Sequence, residues 1–277
     1  MLGLIRPTGR FAILAVAAAI NLVACGAIAA PQPNPLVEIA YIAPKSSRFQ
    51  PIHDRLKEKR VLERLSAFLS PIVLPSKLPI RIEECGALTK VYTRKDGVVI
   101  CYEFVARIEE AASQPGVSDE QRRQDIAGAF VQSTLYRVAL GLLDKLDVPV
   151  WGRYTDAADR LAALMMLEFG PDVAKVTMRG AATFFADSRK TWTGSDFAEV
   201  RSPTVQRMFN YLCMAYGSDP QAFEGLASFL ATRKDGERCK VEYLLGARAF
   251  LQVIAPHLDA AKLPAVQGMT IFEAGDF

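Results

Sequence analysis

The 277-residue sequence predicts an α+β protein, predominantly helical, in which a small antiparallel sheet precedes a long central helix. Three observations point to it. Between Leu74 and Phe104 apolar residues alternate, as in strands packed on one face. From Ser118 to Phe169 they recur at helical spacing through two segments joined by an elbow containing Pro149. Ser118-Asp119-Glu120-Gln121 places a hydroxyl three residues before a Gln, which is the capping-box start of a helix. A composition of 51% hydrophobic and 23% charged residues suits a chain with a substantial core.

At the N-terminus, Arg6 and Arg10 precede an apolar run, Phe11 to Ala24. It is shorter than the about 20 residues a membrane-spanning helix needs, and residues 1–24 read as a secretory signal. The run ends in Leu22-Val23-Ala24-Cys25-Gly26, which resembles a bacterial lipobox, where Cys25 would become a lipidated N-terminus and the anchor to a membrane. Cleavage after Ala27-Ile28-Ala29, giving a soluble periplasmic or secreted product, is the alternative. The lipobox is preferred because Leu-x-x-Cys stands at the right distance from the basic residues. Both readings predict export, to the cell envelope or periplasm. Residues 25–49 are rich in Ala, Pro, Asn and Ser without helical period and read as a flexible tether. Residues 50–277 read as a single domain.

With Cys25 set aside, Cys85, Cys101, Cys213 and Cys239 remain. An even number in an exported chain suggests disulfides, and four allow three connectivities. The sequence-local pairing, Cys85 with Cys101 and Cys213 with Cys239, is expected, each bridge contributing about 3 kcal/mol in the chain-entropy model. A zinc cluster of thiolates is disfavoured, since no C-x-x-C pair exists. With 33 basic against 30 acidic residues, and Arg6 and Arg10 in the leader, charge gives no case for nucleic acid.

Gln50 to Phe68 is an amphipathic helix through Ile52, Leu56, Val61, Leu62, Leu65 and Phe68, with His53 near its start as a surface or capping residue. Leu78, Ile80 and Ile82 mark one strand. Val91-Tyr92-Thr93 and Val98-Val99-Ile100 flank Arg94-Lys95-Asp96-Gly97, a turn in which Asp-Gly supplies positive φ. A helix from Phe104 to Ala112 stops at Gln114-Pro115-Gly116. The central helix runs from Ser118 to about Leu146, where Pro149 biases Val148 out of the helical region. Gly128 and Gly141 within it cost propensity and point to close packing. Asp156 to Phe169 is the second helix of the elbow. Pro171 to Arg189 is helical, Thr191 to Ser202 a polar loop, and Val205 to Tyr216 a helix. Pro220 starts another with Phe223, Leu226, Ala227 and Leu230 buried. Lys234 to Arg238 turns into a final helix, Val241 to Leu258. Trp151 and Trp192 read as packing residues.

An ordered string of short segments carries a resemblance: Glu84-Cys85-Gly86, Ile100-Cys101-Tyr102-Glu103, Leu146-Asp147-Val148-Pro149-Val150, Gly152-Arg153, Asp156-Ala157-Ala158-Asp159, Leu212 to Pro220, Cys239 and Pro256-His257-Leu258. Together they resemble a family of secreted bacterial metallopeptidases of gluzincin type. The resemblance implies a zincin-like fold with H-E-x-x-H on the first helix of the elbow and the Glu of E-x-x-x-D on the second. Two His four apart lie on one helical face and share a Zn²⁺, the intervening Glu acts as general base, and a third ligand leaves one position open for water.

Aligned on Asp147-Val148-Pro149-Val150, the H-E-x-x-H positions fall on Tyr136-Arg137-Val138-Ala139-Leu140, and the third-ligand Glu falls on Thr155, four before Asp159. Leucine offers zinc no donor, and a permanently protonated guanidinium cannot act as a base. No histidine lies between His53 and His257, so a slip in the alignment restores nothing. The expectation is no catalytic residue and no cofactor, with Asp159 retained and pairing with Arg137 or capping a helix. Neither histidine has a nucleophile context, and no phosphate-binding glycine loop occurs. The resemblance therefore implies a noncatalytic, metallopeptidase-like envelope lipoprotein that binds a peptide or protein partner through the former active-site cleft. The alternatives are an active zinc metallopeptidase with an atypical site, and a structural envelope protein.

Overall fold

The computed structural model describes residues 32–94, 97–113, 115–186, 198, 201–230, 236–269, 271 and 274–277. The signal segment 1–24, Cys25 and Trp192 lie outside these residues. The described chain is predominantly helical, with one four-stranded sheet.

Order begins earlier than residue 50. Strand β1, Val37–Tyr41, pairs in parallel with β2, Leu78–Glu83, from Val37↔Leu78 to Tyr41↔Ile82. Polar anchors explain why this Pro-rich stretch is not a tether. Buried Asn34 donates through Nδ2 to the carbonyls of Leu69 and Ile72 at 2.8 and 2.9 Å. Tyr41 Oη donates to Glu63 and accepts from the Leu62 amide at 2.7 Å.

The Gln50 to Phe68 region is two helices, α1 (Gln50–Glu58) and α2 (Val61–Phe68), separated at Arg60, which sits at φ 51°. A continuous helix would carry the phase of Ile52 and Leu56 onto Lys59 and Arg60. The left-handed residue resets it, so that Val61, Leu62 and Leu65 face the core. His53 is buried, not a surface or capping residue: its ring lies edge-on to Tyr102 at 6.1 Å, and Nδ1 is 2.7 Å from Asp54 Oδ1.

The sheet, of order β1-β2-β4-β3, is mixed. Only β3 (Val91–Arg94) and β4 (Gly97–Cys101) pair antiparallel; β2 runs parallel to β4. Sequence periodicity reports which residues share a face and is silent on strand direction, so the expected all-antiparallel sheet holds for the hairpin alone. The tip, 95–96, lies outside the described residues. Gly97 is required for a reason other than positive φ: a β-carbon there would lie 2.1 Å from the Pro79 carbonyl oxygen.

Cys101 leads into α3 (Tyr102–Ala112), and the Cys85–Cys101 disulfide closes the rim of the sheet. Buried Glu103 accepts the Cys85 amide at 2.9 and 3.0 Å, a second tie at the same corner.

Helix α4 (Asp119–Lys145) is the axis of the fold, packed against α3, α5 and α6 and against β3 and β4. Ser118 Oγ accepts the Gln121 amide at 3.2 Å, as the capping box requires, while the Gln121 side chain turns forward to Asp125. By length and hydropathy α4 could cross a membrane, but 83% of its apolar window is buried inside the fold, which makes it a core helix. It ends in a Schellman motif: Val148 N–H reaches the Leu143 carbonyl, Asp147 N–H reaches that of Asp144, and Asp147 sits at φ 48°. The proline after this cap forms the elbow. Helix α5 (Tyr154–Leu167) then folds back on α4.

Helix α6 (Pro171–Ala186) crosses α4 with backbones in contact: a β-carbon on Gly128 would lie 2.7 Å from Gly180 Cα and from the Thr177 carbonyl. Helix α7 (Thr204–Ser218) packs on α5, α6 and α8 (Gly236–Val253), and the Cys213–Cys239 disulfide ties α7 to α8. After Pro220 the chain makes a turn, a 3-10 turn at Glu224–Leu226 and one helical turn at Ala227–Leu230, not the full helix expected.

Candidate functional site

The positions singled out on the central helix lie where α4, α5 and α7 meet. Tyr136 is buried and Arg137 half-buried, both on α4. On α5, Asp159 is buried, and Thr155 is half-buried on the first turn. Leu140 is half-buried one turn further along α4, and its carbonyl accepts the Tyr154 hydroxyl at 3.0 Å and so pins the start of α5 to α4.

Asp159 pairs with Arg207, not with Arg137. Arg207 reaches across from α7 and donates through Nε and Nη2 to the two carboxylate oxygens, each at 2.7 Å. Its side chain is 9% exposed and that of Asp159 4%. Tyr211, one helical turn later, donates its hydroxyl to Asp159 at 3.2 Å and receives Gln132 Nε2 at 3.1 Å. Four residues from three helices therefore form one closed polar network in the core. Burial alone would lower the Arg207 guanidinium; the hydrogen bonds and charge of Asp159 outweigh it and hold the group above its ordinary value. The fork geometry of arginine makes the two-point contact possible, which the shorter, single-headed lysine could not reproduce.

Three guanidinium groups surround the Tyr136 ring: Arg207 at 4.6 Å from its centroid, Arg137 at 5.0 Å and Arg201 at 5.9 Å. The ring face offers each a weak attraction, but the cations face one carboxylate. Arg137 is pushed down to about 10, first by burial and then by repulsion from Arg201 and Arg207, which the nearby Tyr136 and Asp159 only partly offset. Among the described residues, Arg137 and Arg201 have no carboxylate within ion-pair distance.

Sequence reasoning missed Arg207, Tyr211 and Gln132. The signal was present for two of them: Arg207 and Tyr211 lie four apart on a helix, with Arg207 interrupting an otherwise apolar face. Trp151, read as a packing residue, is fully exposed at the elbow. It borders a cleft of about 460 Å³ between α5 and α8, whose walls include Arg160, Leu164, Leu245 and Phe250. This cleft shares no lining residue with the Tyr136 cluster.

The buried phenols make an alkaline test possible. Burial raises Tyr41, Tyr102, Tyr136 and Tyr211. A phenol with a folded pKa above its unfolded value contributes stability that is complete below about pH 10 and is lost as pH rises through the folded value. Arg137, depressed in the fold, acts in the opposite sense, but it is one group against four. Denaturant midpoints should hold level to about pH 10 and fall above it, with tyrosinate absorbance appearing as the protein unfolds. Full titration of all eight tyrosines in the folded protein near pH 10 would contradict this reading.

The comparison with protein families gives one match: the family described as "Putative metallopeptidase" covers residues 41–252 of this chain. No curated protein and no solved structure matches it.

Proposed function

The chain belongs to the family described as putative metallopeptidases, and from that membership we propose that it is a noncatalytic member. In this reading it is exported to the cell envelope, held there by a lipid on Cys25, and binds a peptide or protein partner where the family resemblance places zinc. The observation that carries the proposal is the donor set at that position. Zinc is held by imidazole nitrogen, thiolate or carboxylate oxygen. Leu140 offers none of these, Arg137 and Arg207 bring positive charge, and the carboxylate that faces them among the described residues, Asp159, is already bonded by Arg207 and Tyr211. His53 lies on α1 and His257 in a C-terminal 3-10 turn, on other elements. The residues present do not fit the metal.

Elemental analysis of the purified protein should find no stoichiometric zinc, and casein or peptide substrates should survive incubation with and without chelator. Stoichiometric zinc together with chelator-sensitive proteolysis would overturn the proposal and restore the active-enzyme alternative. A structural envelope protein is the second reading, favoured by the internal satisfaction of the Arg207–Asp159 pair. It gains support if Arg137→Ala changes stability while peptide binding is nowhere detected.

A further inference from the structure

We propose that the Tyr136 cluster is an oxyanion site which takes the terminal carboxylate of a peptide between the Arg137 and Arg201 guanidinium groups. This rests on the noncatalytic reading above and names the chemistry its partner would present.

Two independent observations support it. The first is a surplus of positive charge among the described residues: three guanidinium groups lie within 6 Å of one ring, and the carboxylate beside them, Asp159, is already taken by Arg207 and Tyr211. Two planar forks with no acid partner among the described residues are an arrangement that can receive a planar carboxylate by two parallel hydrogen bonds. The second is the Tyr136 hydroxyl, which is buried and has no hydrogen-bond partner, although its ring is only 3% exposed. Buried hydroxyls are satisfied in the great majority of cases, so an unpartnered donor beside two cations that have no carboxylate among the described residues marks the place of an acceptor. Arg201 is exposed and Arg137 half-buried, which sets the order of contact. The anion meets Arg201 first and then Arg137, with the Tyr136 hydroxyl as the deepest donor. Arg207 is already engaged along its Nε–Nη2 edge by Asp159, so capture falls to Arg137 and Arg201.

The electrostatics of the site agree. Burial, with smaller contributions from Arg201 and Arg207, depresses Arg137 to about 10, and a bound anion favours its charged form, so binding should hold through neutral pH and weaken as pH rises past about 10. Tyr136, Arg201, Arg207 and Asp159 are the charged and titratable groups facing it, and Arg207 keeps its charge over that range because the hydrogen bonds and charge of Asp159 hold it above its ordinary value.

Calorimetry on the whole protein tests this with three probes: an N-acetylated tripeptide with a free C-terminal carboxylate, the same tripeptide as its C-terminal amide, and inorganic phosphate. The free acid should bind at least about tenfold more tightly than the amide and weaken with added salt, with phosphate competing weakly. Arg137→Gln should reduce the affinity about tenfold or more while leaving thermal stability equal or higher, because a surplus cation is removed. Tyr136→Phe, which keeps the ring, should reduce it less. Equal binding of acid and amide would overturn the carboxylate site but leave peptide binding standing. Phosphate binding without either peptide would overturn the peptide assignment, and binding of none of the probes would overturn the oxyanion site. Zinc content, measured separately, decides the noncatalytic reading whatever these titrations give.

Discussion

Asp159→Ala should destabilise the protein by about 3–5 kcal/mol, the range for removing one partner of a buried ion pair. The substitution leaves the Arg207 guanidinium buried, and the Tyr211 hydroxyl and two arginine donors lose their acceptor together. Asp159→Asn should be milder, since it keeps one acceptor oxygen but no charge. The informative comparison is the pair replaced as a unit: Asp159→Leu with Arg207→Met should recover most of the loss, because a closed ion pair in a core is worth little more than well-packed apolar residues. Denaturant unfolding of the two single variants and the double variant provides the cycle. A loss below about 1 kcal/mol for Asp159→Ala would mean that the pair behaves as a solvated surface contact and that the assigned network is wrong.

Gly128→Val should be comparably severe. In an exposed helix, replacing Gly by another residue generally gains some helix propensity. Here the new β-carbon would lie 2.7 Å from Gly180 Cα and from the Thr177 carbonyl oxygen. Both are backbone atoms that cannot rotate away, so α4 and α6 must separate along their crossing and open the core beside Phe130 and Met178. A loss of about 1–3 kcal/mol or more is expected from such overpacking, with Gly128→Ala less damaging and Gly180→Ala similar to it. Gly141→Ala supplies the control. Its β-carbon would meet only Leu78 Cδ1 at 3.2 Å, the end of a side chain that can shift, so propensity and packing should nearly cancel. If Gly128→Ala melts no lower than Gly141→Ala, the helices are not in backbone contact.

Much of this architecture was legible from local rules. Ser118 caps α4 as its spacing to Gln121 implied, Pro149 ends it at the expected residue, and Cys85–Cys101 and Cys213–Cys239 pair as sequence neighbours. Each depends on residues close in the chain. Gly128 was visible as an anomaly in an apolar helix, but its partner Gly180 was not, because no local signal says which helix lies across it. The misreadings share a cause. Strand direction in β1 and β2, the order of residues 34–41, and the exposure of Trp151 all depend on where distant segments come to rest. An aromatic residue beside a proline looks the same in sequence whether its ring faces the core or water.

The same division governs the site. By itself the sequence determined the donor chemistry of these positions: Leu140, Arg137 and Thr155 stand where the resemblance places His, Glu and Glu, and side-chain chemistry does not depend on packing. The resemblance also implies a role for Asp159 beside them. Only the tertiary structure decided what Asp159 is for. Arg137 on the preceding helix and Arg207, 48 residues after Asp159, both carry a charge that could pair with it, and the sequence pointed only to the first. The α5–α7 packing brings the second within 2.7 Å and leaves the first against the Tyr136 ring, because a buried carboxylate accepts the donor whose geometry satisfies both of its oxygens at once.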